Sequence, residues 1–190
     1  MKVGGGVLKE VDAFDGVLAV LGAAARSRRL LIVPGGGPFA DVVRDVDRRL
    51  GLPDTAAHWM AVLAMDQYAH LIAGKLGRAV IVAQAREIAD ALGARPVGQV
   101  PVLAPYRWLR ETDPLPHSWD VTSDSIAAWV AGRVGAQRLV LVKPPGLRPL
   151  SDGDAVDAYF SRALPPDVKT VMVPADQIDA LQAALSFQST

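Results

Sequence analysis

Four stretches of this sequence carry residues that could handle an anion. Lys2 stands ahead of Gly4, Gly5 and Gly6, and Gly35, Gly36 and Gly37 follow an apolar run. Thr122, Ser123 and Asp124 mark a change from loop to helical pattern, and Lys143 ends the run RLVLVK. Glycine runs let backbone N–H groups approach a phosphate closely, and a helix starting there adds the positive end of its dipole. Neither run has the spacing of a P-loop or of the dinucleotide fingerprint. Taken singly, a triple glycine is a tight turn, Lys2 a solvated lysine near the terminus and Lys143 a surface residue. Asp124 reads equally as a first-turn carboxylate and as an anion that orients two lysines. In combination these residues supply what phosphoryl transfer asks of a protein: N–H donors, cations and placement, with no histidine or cysteine nucleophile.

For these residues to meet, strands must deliver them to one edge of a sheet. Short β-branched runs, LLIV (30–33), AVIV (79–82), QVPVL (99–103), RLVLV (138–142) and TVMV (170–173), alternate with stretches of helical period. Continuous apolar runs of this length are strands buried on both faces, so the expectation is α/β: a three-layer αβα sandwich with a mostly parallel central sheet. Ligands of such sheets gather at the carboxyl ends of the strands, where all four stretches would fall. Lys2 and Gly4 share one side of the first strand, since side chains alternate with period two.

Among the helices, Phe39, Val42, Val43, Val46 and Leu50 mark an amphipathic face, leaving Arg44, Arg48 and Arg49 outward. The stretch from Ala56 to Leu76 is apolar nearly all round and reads as a largely buried helix, in which Asp66 needs a partner. Ile126, Trp129, Val130 and Val134 lie on one face of a helix for which Thr122 or Ser123 is the N-cap. From Ala104 to Val121 the prolines of PYRWLRETDPLPHSWDV predict a long loop. DAVDAYFSRAL and ADQIDALQAAL read as amphipathic helices.

With 190 residues and 51% hydrophobic content, the expectation is one domain over residues 1–190. Twenty basic and twenty acidic side chains cancel, which removes the global field that would draw nucleic acid or an anionic membrane. Without cysteine there is no thiolate catalysis and no cysteine-ligated zinc, in keeping with a cytoplasmic setting. GVLAVLGAAA has about half the length of a membrane span, and neither a transmembrane helix nor a signal peptide is expected.

The motifs KVGGG, VPGGGP and TSDS resemble the amino acid kinase superfamily, whose members open with Lys-x-Gly-Gly-Ser, carry a second triple glycine after the next strand and later start a helix with Asp-Ser or Asp-Thr. Gly6 stands where the superfamily usually has Ser, and Pro144 and Pro145 interrupt its Asp-x-Asp-Gly stretch. Within the superfamily, HWMAVLAMDQYAHLIAG and HSWDVTSDSIAAWVAG look most like the small kinases that phosphorylate [5-(aminomethyl)furan-3-yl]methyl phosphate in methanofuran biosynthesis. The resemblance implies ATP with Mg²⁺ as donor, a small-molecule phosphate as acceptor, a cytoplasmic homo-oligomer and no nucleic-acid or membrane partner. It gives Lys2 the phosphoryl group in flight, the two glycine turns the phosphates, Asp124 the ordering of the lysines and Lys143 the nucleotide side. No side-chain metal site is implied. For the acceptor, Trp59 and Trp119 would wall the furan, and Asp66 or Asp120 would meet its ammonium. Thr122 and Ser123 complete that candidate set, while packing and an internal hydrogen bond account equally for Trp59 and Asp66. Isopentenyl phosphate or a nucleoside monophosphate as acceptor, and a noncatalytic phosphate- or nucleotide-binding subunit, stay open beside this reading.

Overall fold

The apolar runs become strands that all pair in parallel: β1 (Lys2–Val3), β2 (Val33–Pro34), β3 (Ala79–Val82), β4 (Val100–Leu103), β5 (Arg138–Lys143) and β6 (Lys169–Pro174). A computed structural model of the chain describes residues 1–93, 99–146 and 155–186. One ladder runs β2-β1-β5-β6 and another pairs β3 with β4. Ile32 bridges them, its N–H donating to the Pro101 carbonyl at 2.9 Å and its own carbonyl accepting from Leu103 N–H at 2.8 Å. The spatial order is therefore β3-β4-β2-β1-β5-β6, with LLIV contributing the Ile32 bridge and one strand residue, Val33, rather than a full strand.

Side-chain alternation separates two apolar layers. Val140 and Val142 of β5 pack with Val3, Phe14, Leu21 and Ile72, while Leu139 and Leu141 pack with Val33, Ile126 and Val130. The first layer is roofed by helices α1 (Val11–Ala24) and α8 (Ile178–Ser186), the second by α4 (Ala85–Gly93), α5 (Tyr106–Thr112), α6 (Ser123–Arg133) and α7 (Phe160–Ala163). Helix α3 (Asp54–Leu76) explains its nearly uniform hydrophobicity by serving both: Trp59, Val62 and Met65 belong to the second layer, Tyr68, Ala69 and Ile72 to the first. The α/β sandwich read from the sequence is what the chain forms.

Three expectations give way. Helix α2 (Gly37–Leu50) buries Ala40 and Val43 instead of the wider face expected, leaving Val42 and Leu50 64% and 69% exposed. It packs on α3, and Ala40 and Val43 are the residues it buries. PYRWLRETDPLPHSWDV contains α5, with Pro105 at its N-cap and Asp113 ending it in the left-handed region at φ 41°. Of DAVDAYFSRAL, only Phe160–Ala163 is helical among the described residues, because Asp157 is drawn to another helix. Pro144 and Pro145, which interrupt the Asp-x-Asp-Gly stretch, are described, whereas 147–154 lie outside the described residues. No helix among the described residues is long and apolar enough to cross a membrane.

Candidate active site

β1 and β5 are neighbours with Lys2 opposite Leu141, so Lys2, Leu141 and Lys143 project to one face of the sheet. That face carries α6, whose first turn presents Asp124. The three side chains converge. Lys2 Nζ lies 2.8 Å from Asp124 Oδ1, and Lys143 Nζ donates to Asp124 Oδ2 at 2.7 Å. All are buried, with exposures of 4% for Lys2, 6% for Asp124 and 6% for Lys143.

Burial by itself would raise the Asp124 carboxyl, but the charges of Lys2 and Lys143 and their hydrogen bonds outweigh it and hold the group below the usual carboxylate range. Lys143 is lowered, first by burial and then by the charge of Lys2, against the opposing pull of Asp124 and Asp157. Two cations on one carboxylate leave a buried excess of positive charge. Such an excess is costly inside a protein unless an anion joins it. Lys169, the remaining lysine late in the chain, begins β6 opposite Arg138, at the far end of the strand from Lys143.

The two glycine turns touch each other. A Cβ on Gly35 would lie 2.5 Å from Gly5 N, and one on Gly5 would strike Gly37 N, so no side chain fits between them. Gly4 N–H donates to Val142 O and Gly35 N–H to Val3 O, both at 2.8 Å, which extends the ladders and occupies these donors. Gly5 and Gly6 instead open a short 3-10 helix (Gly5–Lys9), while Gly36 is the N-cap of α2 and Gly37, at φ 59°, its first residue. N–H groups at helix starts have no intrahelical acceptor. The N–H groups left without an intrahelical acceptor are thus those of Gly5, Gly6, Gly36 and Gly37, with Gly4 and Gly35 fixing the strand ends. A Cβ on Gly6 would lie 2.6 Å from Pro144 Cγ. The two departures from the superfamily pattern are therefore one: the proline ring fills the space that a serine would need.

A cavity of about 210 Å³ opens from these turns, walled by Gly5, Gly6, Gly36 and Gly37 on one side and by α2, α3, Ser118, Trp119 and residues 121–123 on the others. Of the acceptor residues inferred from sequence, Trp119, Thr122 and Ser123 line it. Trp119 is fixed by an indole N–H donated to Asp47 Oδ2 at 2.7 Å and by the Arg44 guanidinium 5.0 Å from its ring centre. Trp59, Asp66 and Asp120 are not in its wall. Trp59 packs edge-on to Tyr106 and His117 under Arg110. Asp66 accepts from Tyr106 N–H at 3.0 Å and so caps α5; burial raises its carboxyl, against this hydrogen bond and His70. Asp120 is exposed, and its carbonyl accepts from Tyr159 N–H.

Several residues around the site escaped the sequence reading. Lys9, Asp41, Arg44, Asp54 and His58 also line the cavity. Asp157 accepts at Oδ2 from Thr122 N–H at 3.0 Å, Thr122 Oγ1 at 2.7 Å and Ser125 N–H at 3.0 Å, and at Oδ1 from the Ser125 hydroxyl. Thr122 is the N-cap by position, yet its hydroxyl donates to Asp157 rather than capping its own helix. The carboxylate that caps α6 comes from over thirty residues downstream, a pairing that no local pattern announces. His58 had a signal, being one of two imidazoles on an apolar helix, and Lys9 follows Gly6 by one 3-10 turn.

Comparison with known proteins agrees with this geometry. The [5-(aminomethyl)furan-3-yl]methyl phosphate kinase of Methanocaldococcus jannaschii is 27% identical over 119 residues, covering 63% of this chain and 53% of that protein, so the match spans about half of the relative's length. Uridylate kinase from Archaeoglobus fulgidus shares the fold with a TM-score of 0.71 at 14% identity, over 98% of this chain and 96% of that one. Isopentenyl phosphate kinase of T. acidophilum does so with a TM-score of 0.59 at 14% identity, over 99% and 95%. The amino acid kinase family matches residues 1–144, the span that holds both glycine turns, Asp124 and Lys143, and the chain belongs to that family.

Proposed function

We propose that the protein transfers the γ-phosphoryl group of MgATP to a small phosphate monoester, giving ADP and a diphosphate. The observation that carries this is the buried Lys2–Asp124–Lys143 cluster, with its excess positive charge, beside the free N–H groups of Gly5, Gly6, Gly36 and Gly37. An oxygen of the acceptor phosphate would attack the γ-phosphorus in line as the bond to the β,γ-bridging oxygen breaks and ADP departs. The acceptor is already an anion, so no general base is needed, and charge stabilisation is the protein's main task. Lys2 and Lys143 would meet the charge spread over the phosphoryl oxygens while Asp124 holds both ammonium groups in place. Mg²⁺ would come with ATP, held chiefly by the nucleotide's phosphates.

The acceptor we favour is [5-(aminomethyl)furan-3-yl]methyl phosphate, which the name of the M. jannaschii relative supports. The cavity has an aromatic wall in Trp119 and phosphate donors at its glycine end. Pro144 against Gly6 is the observation that favours a noncatalytic nucleotide-binding subunit, since it alters the turn beside Lys2. A coupled ADP-release assay over a panel of this furan phosphate, isopentenyl phosphate and UMP decides among the readings. Acceptor-dependent ADP release with the furan alone is the expected result. Release with UMP or isopentenyl phosphate only would remove the furan assignment, and nucleotide binding without release from any acceptor would favour the noncatalytic subunit.

A further inference from the structure

Away from the glycine turns, the cavity wall carries a polar side chain with nothing to bond. His58 lines the cavity at 8% exposure. Its described contacts are aromatic: it stacks on His117 with ring centres 4.4 Å apart and meets Trp59 edge-on at 4.7 Å. The hydrogen bonds of this corner belong to His117, which pairs with Thr55 Oγ1 at 3.0 Å and Asp113 Oδ1 at 2.8 Å. Desolvation, with the charge of His117, lowers His58 to about 4. At neutral pH its ring is therefore uncharged and keeps one unused lone pair and one N–H. Neither nitrogen is among the buried side-chain atoms left without a partner, so both reach the cavity and are open to a ligand group.

The cavity's charges are divided in the same sense. Asp41 pairs with Arg44 at 3.1 Å, whereas neither Lys9 nor Asp54 has an ion pair among the described residues. Lys9 follows the glycine turn, and Asp54 lies one turn before His58 on the same face of α3. The glycine end of α3 is marked by Tyr68, whose hydroxyl reaches Gly4 O at 3.5 Å, with Met65 one turn back in the cavity wall. From Met65 to His58 the helix rises about 10 Å, and Asp54 lies about 6 Å further along. The wall between is apolar, with Ala61, Val62 and Ile126.

We propose that His58, aided by Asp54, is the specificity-determining group of the acceptor pocket, recognising a protonated amine at the end of the cavity away from the phosphate held at the glycine turns. This rests on the phosphate-acceptor reading above and assigns its selectivity to residues. The ammonium would donate to the unprotonated imidazole nitrogen, and Asp54 would supply the opposing charge at the mouth. An imidazolium at His58 would repel such a group, so its burial serves recognition. A hydrocarbon-tailed phosphate would leave His58 unpaired and so be disfavoured, by the logic that makes unpaired buried polar groups selective.

Titration calorimetry tests this without requiring turnover. The probes are [5-(aminomethyl)furan-3-yl]methyl phosphate and its analogue with methyl in place of aminomethyl, against the wild-type protein, His58→Phe, which keeps the ring stack, and Asp54→Asn. Wild type should bind the amine about tenfold more tightly than the analogue. His58→Phe should erase most of that preference and Asp54→Asn reduce it about threefold, with the analogue's Kd and that of MgATP within twofold of wild type. Equal loss for both probes in His58→Phe, or no amine preference in wild type, overturns the proposal. His58→Asn, which retains hydrogen-bonding capacity, should keep part of the preference and controls for misfolding. Amine-selective binding without ADP release would count against the transferase reading alone, and ADP release without amine selectivity against this inference alone.

Discussion

Lys2 contributes half of the charge that the site holds, and its removal separates a catalytic from a structural part. Lys2→Ala should lower kcat about 10²- to 10³-fold, with acceptor and ATP KM values changed far less, as steady-state kinetics can read. A fall confined to KM would make Lys2 a binding residue only. The Gly6–Pro144 contact gives a second test at this scale. Gly6→Ala should destabilise by about 1–3 kcal/mol through overpacking, and much of that should return in the double variant with Pro144→Ala. Additive effects in urea unfolding would show that the two positions do not interact. Lys2, Asp124 and Lys143 were legible because strand ends and a helix start are local patterns that converge in any parallel sheet. Trp59 and Asp66 misled because type alone cannot say which face of a long, all-round apolar helix looks into a cavity. His58, one residue from Trp59, is the neighbour that does.

Helix α6 shows how an element sets the chemistry of a residue. Asp157 closes its first turn with bonds to Thr122 and Ser125, and Asp124 sits between them. Asp157→Ala would strand buried donors and should cost about 1–3 kcal/mol in chemical denaturation. Asp157→Asn isolates the charge. Asp157 raises Lys143 against the lowering by burial and by Lys2, so its neutralisation should lower Lys143 further. The alkaline limb of kcat, where Lys143 loses its proton, lies below the ordinary lysine value of 10.5 in wild type and should move to lower pH in Asp157→Asn. An unmoved limb would mean that Lys143 does not govern it. Helix α5 was hidden for a different reason: Pro105 and Pro114 flank it, and prolines that bound a seven-residue helix look from sequence like those of a loop.

At the scale of the whole molecule, buried titratable groups link stability to pH. The folded value of His58, about 4, lies below its unfolded value of 6.5. The unfolded chain therefore takes the proton first as pH falls, and stability present above 6.5 drains away towards 4. The melting temperature should drop across that window and drop less in His58→Phe, as scanning calorimetry at several pH values would show; parallel curves would place the acid sensitivity elsewhere. The sandwich itself was readable because its strands are short continuous apolar runs between helical stretches, a pattern with few alternative folds. The capping of α6 by Asp157 and the division of charge along the cavity were not, since both join residues far apart in the chain. The central claim is that the lysine pair and the glycine turns move a phosphoryl group onto a phosphate. Phosphorus NMR of MgATP with [5-(aminomethyl)furan-3-yl]methyl phosphate tests it most directly: the account predicts ADP and a new diphosphate appearing as the monoester resonance declines, about 10²- to 10³-fold more slowly with Lys2→Ala. ADP formed without the acceptor, or no diphosphate from any phosphate monoester, would contradict it.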